Sequence, residues 1–331
     1  MIIERVTLAC VAWLMFACGH EPKPASSRAT SSGRTPSPSL QPSVASPKRL
    51  TTLGVSAYQS KIAMGDDAVY LMTSNAAYRL VDGEPAQGLP LLLGVGPVLT
   101  PSSFVFWWQG DIWSAPKEGG PAREVAKFPH QPQYFVSSGD ALAWVDQSDD
   151  GLYTIQTLDG SKPRVLLSSM GEIRALDMIG ERVYFVQRPA DDSWHIGFVH
   201  RDGGEPQYAV TKKGRAPSQL SGSDAIYYYD LDTKRILRLS LDLHEEEVQL
   251  SDLVCSPIHV SKRIYCGCVE GLFDVDKDTH QPRVLVYNRP GTITSITSNS
   301  KAVAWTVDVG AEQLAVDFLP LSETERSAPV P

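Results

Sequence analysis

Several residue groups in this 331-residue chain are of types that do chemistry. The seven histidines, His20, His130, His195, His200, His244, His259 and His280, lack any ligand spacing such as H-E-x-x-H and announce no metal centre. His259 lies in a stretch that reads as an inner strand, where it either faces a channel or is a satisfied interior imidazole. Ser114-Ala115-Pro116-Lys117 matches S-x-x-K, but that pairing needs a helix to aim serine and lysine together, and Pro116 forbids one. Asp274-Val275-Asp276-Lys277-Asp278 starts like a calcium loop. Its sixth position lacks glycine and Leu285 stands where a bidentate glutamate belongs, so it reads as a solvated turn.

Three cysteines fall close together in CSPIHVSKRIYCGC, from Cys255 to Cys268. The segment reads as a strand, a tight turn at Ser261-Lys262 and a second strand, which sets Cys255 nearly opposite Cys268. In an oxidising compartment a Cys255–Cys268 disulfide is expected, with Cys266 as the competing partner and one thiol left over. A metal site here would want a fourth ligand, and only His259 is near.

Carboxylates recur in polar turns: Asp146, Asp149 and Asp150, then Asp191 and Asp192, then Asp230 and Asp232, then Glu270. If these turns emerge on one face, Asp149, Asp150, Asp191, Asp192, Asp230, Asp232 and Glu270 form an acidic rim suited to a cationic partner or to Ca²⁺. The preference of tight turns for aspartate explains the same residues without a ligand.

The elements that would position these residues follow from a repeat. Runs beginning near Val69, Val105, Leu142, Val183, Ile226, Ile264 and Val303 recur at spacings of 36, 37, 41, 43, 38 and 39 residues. Three residues before each stands a turn former: Asp66, Ser102, Gly139, Gly180, Ser223, Ser261 or Ser300. Each run is apolar at consecutive positions, as a strand is when covered on both faces. A polar turn, an alternating strand, a Gly/Asp/Pro turn and an outer strand follow, as in Leu152–Leu158 and Arg164–Ser169. Four strands in about forty residues make a propeller blade. The expectation is an all-β chain: a seven-bladed β-propeller of four-stranded antiparallel blades over residues 50–321. LTTLGVSA (Leu50–Ala57) is expected to pair into the seventh blade and close the ring, hiding its edges. A pair of β-sandwiches is the alternative.

Outside the repeats the chain changes character. Arg5 precedes an apolar run, Val6–Ala17, far shorter than the roughly 18–20 residues that span a bilayer, which reads as a signal peptide over residues 1–17. The LMFAC ending resembles the bacterial lipobox and makes Cys18 the expected lipidation site; a plain secretory signal cut near Ala17 is the alternative. Residues 18–49, rich in Ser and Pro and without aromatics, cannot bury enough surface to fold and read as a disordered tether. The net charge is −8; one acid against five bases in that tether leaves −12 for the remainder. An acidic body argues against nucleic acid as a partner. Residues 322–331 read as a tail.

The units SGDALAWVDQSDDGLYTIQTLDG and GERVYFVQRPADDSWHIGFVHRDGGEP are similar to the repeats of TolB-like and YWTD-like (DUF5050-type) propellers of bacterial lipoproteins. The YWTD tetrad is absent, as is the Trp-Asp dipeptide at blade ends. What the resemblance implies is a lipid-anchored protein of the bacterial cell envelope, on the outer membrane or the periplasmic face, and no reaction comes with it. The reading is a monomeric, non-catalytic binding or scaffolding module for an envelope protein or peptide, without cofactor. An envelope enzyme of lactonase or lyase type, with a divalent metal in the propeller channel, is the alternative.

Overall fold

The computed structural model describes residues 47–321 apart from 56–59, 74–75, 90–94, 160, 190, 242–243, 249–254, 269–270, 281 and 288–290. Cys18, Glu270, the signal and tether segments up to residue 46, and the tail beyond 321 lie outside the described residues.

Every regular element among the described residues is a strand, and the strands form seven antiparallel sheets of four. The first described strand is β1 (Lys48–Leu53). The innermost strands of the seven sheets are β2 (Lys61–Met64), β6 (Val95–Leu99), β10 (Tyr134–Ser138), β14 (Glu172–Ile179), β18 (Ser221–Gly222), β22 (Ile258–Val260) and β26 (Thr292–Ser298). Each packs against the next, and β26 packs against β2, so the inner strands form a ring. The second strands are β3 (Val69–Met72), β7 (Ser103–Trp108), β11 (Ala141–Gln147), β15 (Arg182–Arg188), β19 (Ile226–Asp230), β23 (Ile264–Cys268) and β27 (Ala302–Gly310). All seven anchors of the sequence repeat lie in these second strands. Their burial has the expected cause: β3, β19 and β23 are buried at every position because each is sandwiched between neighbouring sheets.

Third strands follow: β4 (Ala77–Leu80), β8 (Asp111–Pro116), β12 (Tyr153–Asp159), β16 (Ser193–His200), β20 (Arg235–Leu239), β24 (Gly271–Val275) and β28 (Gln313–Pro320). Six outer strands come from the same repeats: β5 (Gln87–Leu89), β9 (Arg123–Lys127), β13 (Lys162–Ser169), β17 (Gln207–Lys213), β21 (Glu245–Val248) and β25 (Pro282–Tyr287). The seventh sheet takes its outer strand from the other end of the described chain, in the order β1-β28-β27-β26. Strand β1 starts at Lys48, two residues before the ring was expected to begin. Lys48 and Arg49, which the sequence reading assigned to the tether, therefore belong to the fold.

The core lies between sheets. Trp144, Trp194, Trp305, Tyr70, Tyr184, Tyr227, Tyr228, Tyr265, Phe104, Phe106 and Phe185 are fully buried, each contributing about 2–3 kcal/mol of apolar burial. The rings interlock: Trp144 stacks on Phe135 at 5.7 Å and meets Phe128 edge-on at 5.2 Å. In five of the seven repeats the residue after the anchor is one of these buried rings, Tyr70, Phe106, Tyr184, Tyr227 or Tyr265, and in the other two it is alanine, Ala143 or Ala304. At Gly197 an added Cβ would stand 2.6 Å from the Gln207 carbonyl, next to the β16–β17 bulge, so the close strand approach there requires glycine.

Candidate functional site

The connections between second and third strands, and between one blade and the next, emerge on one face of a propeller. That face carries the acids singled out in the sequence. In the fourth blade Asp191 takes the Ser193 hydroxyl at 2.6 Å and the Ser193 amide at 3.2 Å, and Asp192 faces Arg188 at 3.4 Å. Asp150 likewise takes the Ser148 hydroxyl, while Asp149 is exposed with no ion pair among the described residues. In the fifth blade Asp230 is buried and caps its own turn through the amides of Asp232 (2.9 Å) and Thr233 (3.1 Å), with Lys212 3.7 Å away. Asp232 receives both the backbone amide and the side chain of Arg215, at 2.8 and 3.0 Å.

These donors hold the carboxyls of Asp150, Asp191 and Asp232 below the ordinary carboxylate range. The structure therefore places the six described acids on three consecutive blades, where most of them build turns as well as carrying charge. Asp146, read from the sequence with this rim, is instead buried in β11, where it accepts from His130 and Gln156.

Two apolar residues on the same face were missed. Trp108, 37% exposed, ends β7, meets Trp113 edge-on at 6.0 Å and accepts the Trp113 indole N–H on its carbonyl. Met170, 74% exposed, sits in the short link from the third to the fourth blade. The signal for Trp108 was the doublet Trp107-Trp108: alternation turns one indole inward, half-buried with its N–H on the Phe128 carbonyl at 2.7 Å, and the other outward. Met170 carries no such signal, because only the brevity of its link forces it out.

Toward the ring axis, three inner-strand groups are shifted by desolvation. Asp177 is pushed up to about 6; it accepts the amides of Met178 (2.8 Å) and Gly222, and the latter approach is open because Gly222 has no Cβ. His259 is lowered to about 4 and accepts the Ser298 amide on Nε2 at 3.1 Å, so it is a satisfied interior imidazole. Lys61 keeps solvent contact yet is ringed by protein, which lowers it to about 8. The metal-bearing alternative asks for carboxylates and imidazoles that converge. Among the described residues the one convergent set of three possible metal ligands is Cys255, Cys266 and Cys268.

The calcium-like stretch is occupied by protein groups. Asp274, fully buried, is held by Arg263 (2.6 Å) and Arg283 (2.7 and 3.0 Å), and Asp276 caps its turn through Asp278 and Thr279. Ser114 lies in β8, and Lys117 in the turn after it. On the opposite face a cleft of about 660 Å³ opens beside the second and third blades, lined by Ser102, Ser114, Arg123, Asp140 and Asp159 among others.

The cysteine pairing differs from the expectation. The disulfide joins Cys255 to Cys266, not to Cys268, with Cα atoms 5.4 Å apart. In the hairpin Ile258 faces Cys266, and strand alternation puts Cys266 and Cys268 on one face, so Cys255 reaches either sulfur.

Seven radial four-stranded sheets with inner strands in a ring define a seven-bladed β-propeller. No family model and no curated protein matches the chain. Among solved structures it is similar to a chain in a crystal structure of the mitotic checkpoint complex (TM-score 0.59, 12% identity, 88% of this chain and 100% of that one). It is similar also to the WD40 domain of Neurospora crassa Pan2 (0.58, 11%, 83% and 96%) and the WD40 β-propeller domain of Doa1 (0.56, 12%, 86% and 99%). At such identities the likeness is one of fold.

Proposed function

We propose that this protein is a lipid-anchored component of the bacterial cell envelope, a monomer whose propeller presents one loop face to a protein partner and catalyses no reaction. The observation that carries the binding reading is that exposed apolar side chains, Trp108 and Met170, and acidic turns at Asp149, Asp150, Asp191 and Asp192 emerge on the same face from the second, third and fourth blades. Large apolar anchors inside a polar rim are the anatomy of a protein-binding surface. The acids favour a partner whose surface places Lys or Arg around an apolar pocket. The similarity to a chain in a crystal structure of the mitotic checkpoint complex fits this reading.

The anchor rests on Val6–Ala17 followed by Cys18, and on the Ser/Pro-rich segment that would separate lipid from fold. Binding of this kind needs no cofactor. Cross-linking from Met170 in the native envelope tests it: one recurrent protein partner is expected, and a propeller recovered alone would refute it.

A further inference from the structure

Three sulfurs meet inside the sixth blade. The Cys268 Sγ lies 3.4 Å from that of Cys255 and 3.6 Å from that of Cys266, and Cys255 and Cys266 form the disulfide. All three residues are buried, packed with Tyr227, Tyr229, Phe273 and Val260 in one apolar cluster. A disulfide is broken by a thiolate that attacks one of its sulfurs, and a third cysteine held in contact with both sulfurs needs no encounter in solution to do so.

We propose that these cysteines form an internal thiol–disulfide exchange site, in which Cys255 is a shared sulfur bonded to either Cys266 or Cys268. Cys268 loses its proton and its thiolate attacks the Cys255 Sγ. The Cys255–Cys268 bond forms as the Cys255–Cys266 bond breaks, and Cys266 leaves as a thiolate that takes up a proton. One disulfide and one thiol stand on each side, and no oxidant or reductant is consumed.

Strand geometry names Cys255 as the hub. Cys266 and Cys268 are two residues apart on β23, a separation of about 6.7 Å in an extended strand, at the upper limit for a disulfide. Cys255 lies outside that strand and approaches both. The consequence is a blade cross-link that survives the loss of either strand cysteine and disappears with Cys255.

The test is disulfide mapping by mass spectrometry of acid-quenched, non-reduced protein, for wild type, Cys266→Ser, Cys268→Ser and Cys255→Ser. In Cys266→Ser a Cys255–Cys268 link is expected at the same yield as the Cys255–Cys266 link of Cys268→Ser, and in Cys255→Ser both remaining thiols should alkylate on unfolding. Wild type held at alkaline pH should contain both links, since only the thiolate attacks. Cys266→Ala, with circular dichroism to confirm folding, guards against a variant lost to the serine itself. A folded Cys266 variant with Cys255 and Cys268 both alkylatable would overturn the proposal. So would wild type with three alkylatable thiols and a bound metal.

Discussion

The Arg49 guanidinium grips the Asp317 carboxylate through two bonds, Nε to Oδ1 at 2.8 Å and Nη2 to Oδ2 at 3.1 Å, across 268 residues of chain. Asp317 is wholly buried, and the pairing holds β1 against β28, raising the arginine above its ordinary pKa. Asp274 occupies the matching place in the sixth blade, paired with Arg283 on the outer strand. Arg49 keeps 39% of its side chain in solvent while Asp317 keeps none, so losing the arginine strands a buried carboxylate, at less than the about 3–5 kcal/mol of a fully buried pair. Arg49→Ala is therefore expected to lower the urea midpoint substantially with an unchanged slope, and Arg49→Ala/Asp317→Ala to be less damaging than the sum of the two single changes. Additive losses would show that the pair is not coupled.

Asp177 and His259 should pull stability in opposite directions with pH. The fold favours the protonated Asp177, raised from 3.8 to about 6, so its contribution is complete below pH 3.8 and is lost as pH rises through about 6. Asp177→Asn is expected to stabilise the protein by up to about 3 kcal/mol at neutral pH and to add little near pH 4. His259 is favoured neutral, lowered from 6.5 to about 4, so its contribution is complete above pH 6.5 and is lost as pH falls through about 4. His259→Gln should flatten that acid limb. Urea titrations across this range decide both, and parallel curves for wild type and variants would contradict the assignment.

The architecture was legible because blade strands are covered on both faces, so seven continuous apolar runs such as Val69–Met72 and Ile226–Tyr229 stood out at a regular period. Arg49 was not legible as a latch: on the sequence it is one more cation in a basic, proline-rich stretch, and its partner lies at the far end of the chain. The acidic turns were visible as residues, but not that Asp230 would turn inward to cap its own loop while Asp149 stays exposed. The disulfide partner was ambiguous because Cys266 and Cys268 share a strand face. Met170 could not be found from sequence, since an apolar residue between Ser169 and Gly171 resembles any loop residue until the link proves too short to bury it.

Added Ca²⁺, Mn²⁺ or Zn²⁺ should leave the melting temperature unchanged, because Asp274 and Asp276 are already held by Arg263 and Arg283. A midpoint that climbs with the logarithm of metal concentration would favour the metal-bearing enzyme reading instead.

Cys18→Ser is expected to shift the full-length protein from the membrane fraction to the soluble fraction without altering its melting temperature. Unchanged membrane recovery would remove the lipid anchor from the account.

Met170→Glu should leave stability within about 0.5 kcal/mol, as a well-exposed position does, while Trp108→Ala should cost about 1 kcal/mol through the lost Trp113 contact and leave the protein folded. The most direct test of a partner-binding face is photo-cross-linking from position 170 in the native envelope, comparing Trp108 with Trp108→Ala at equal expression. One recurrent protein partner is expected, whose capture falls about thirtyfold when Trp108 is truncated, as loss of an interface anchor of about 2 kcal/mol implies. Equal capture from both proteins, or cross-links scattered over unrelated partners, would contradict it.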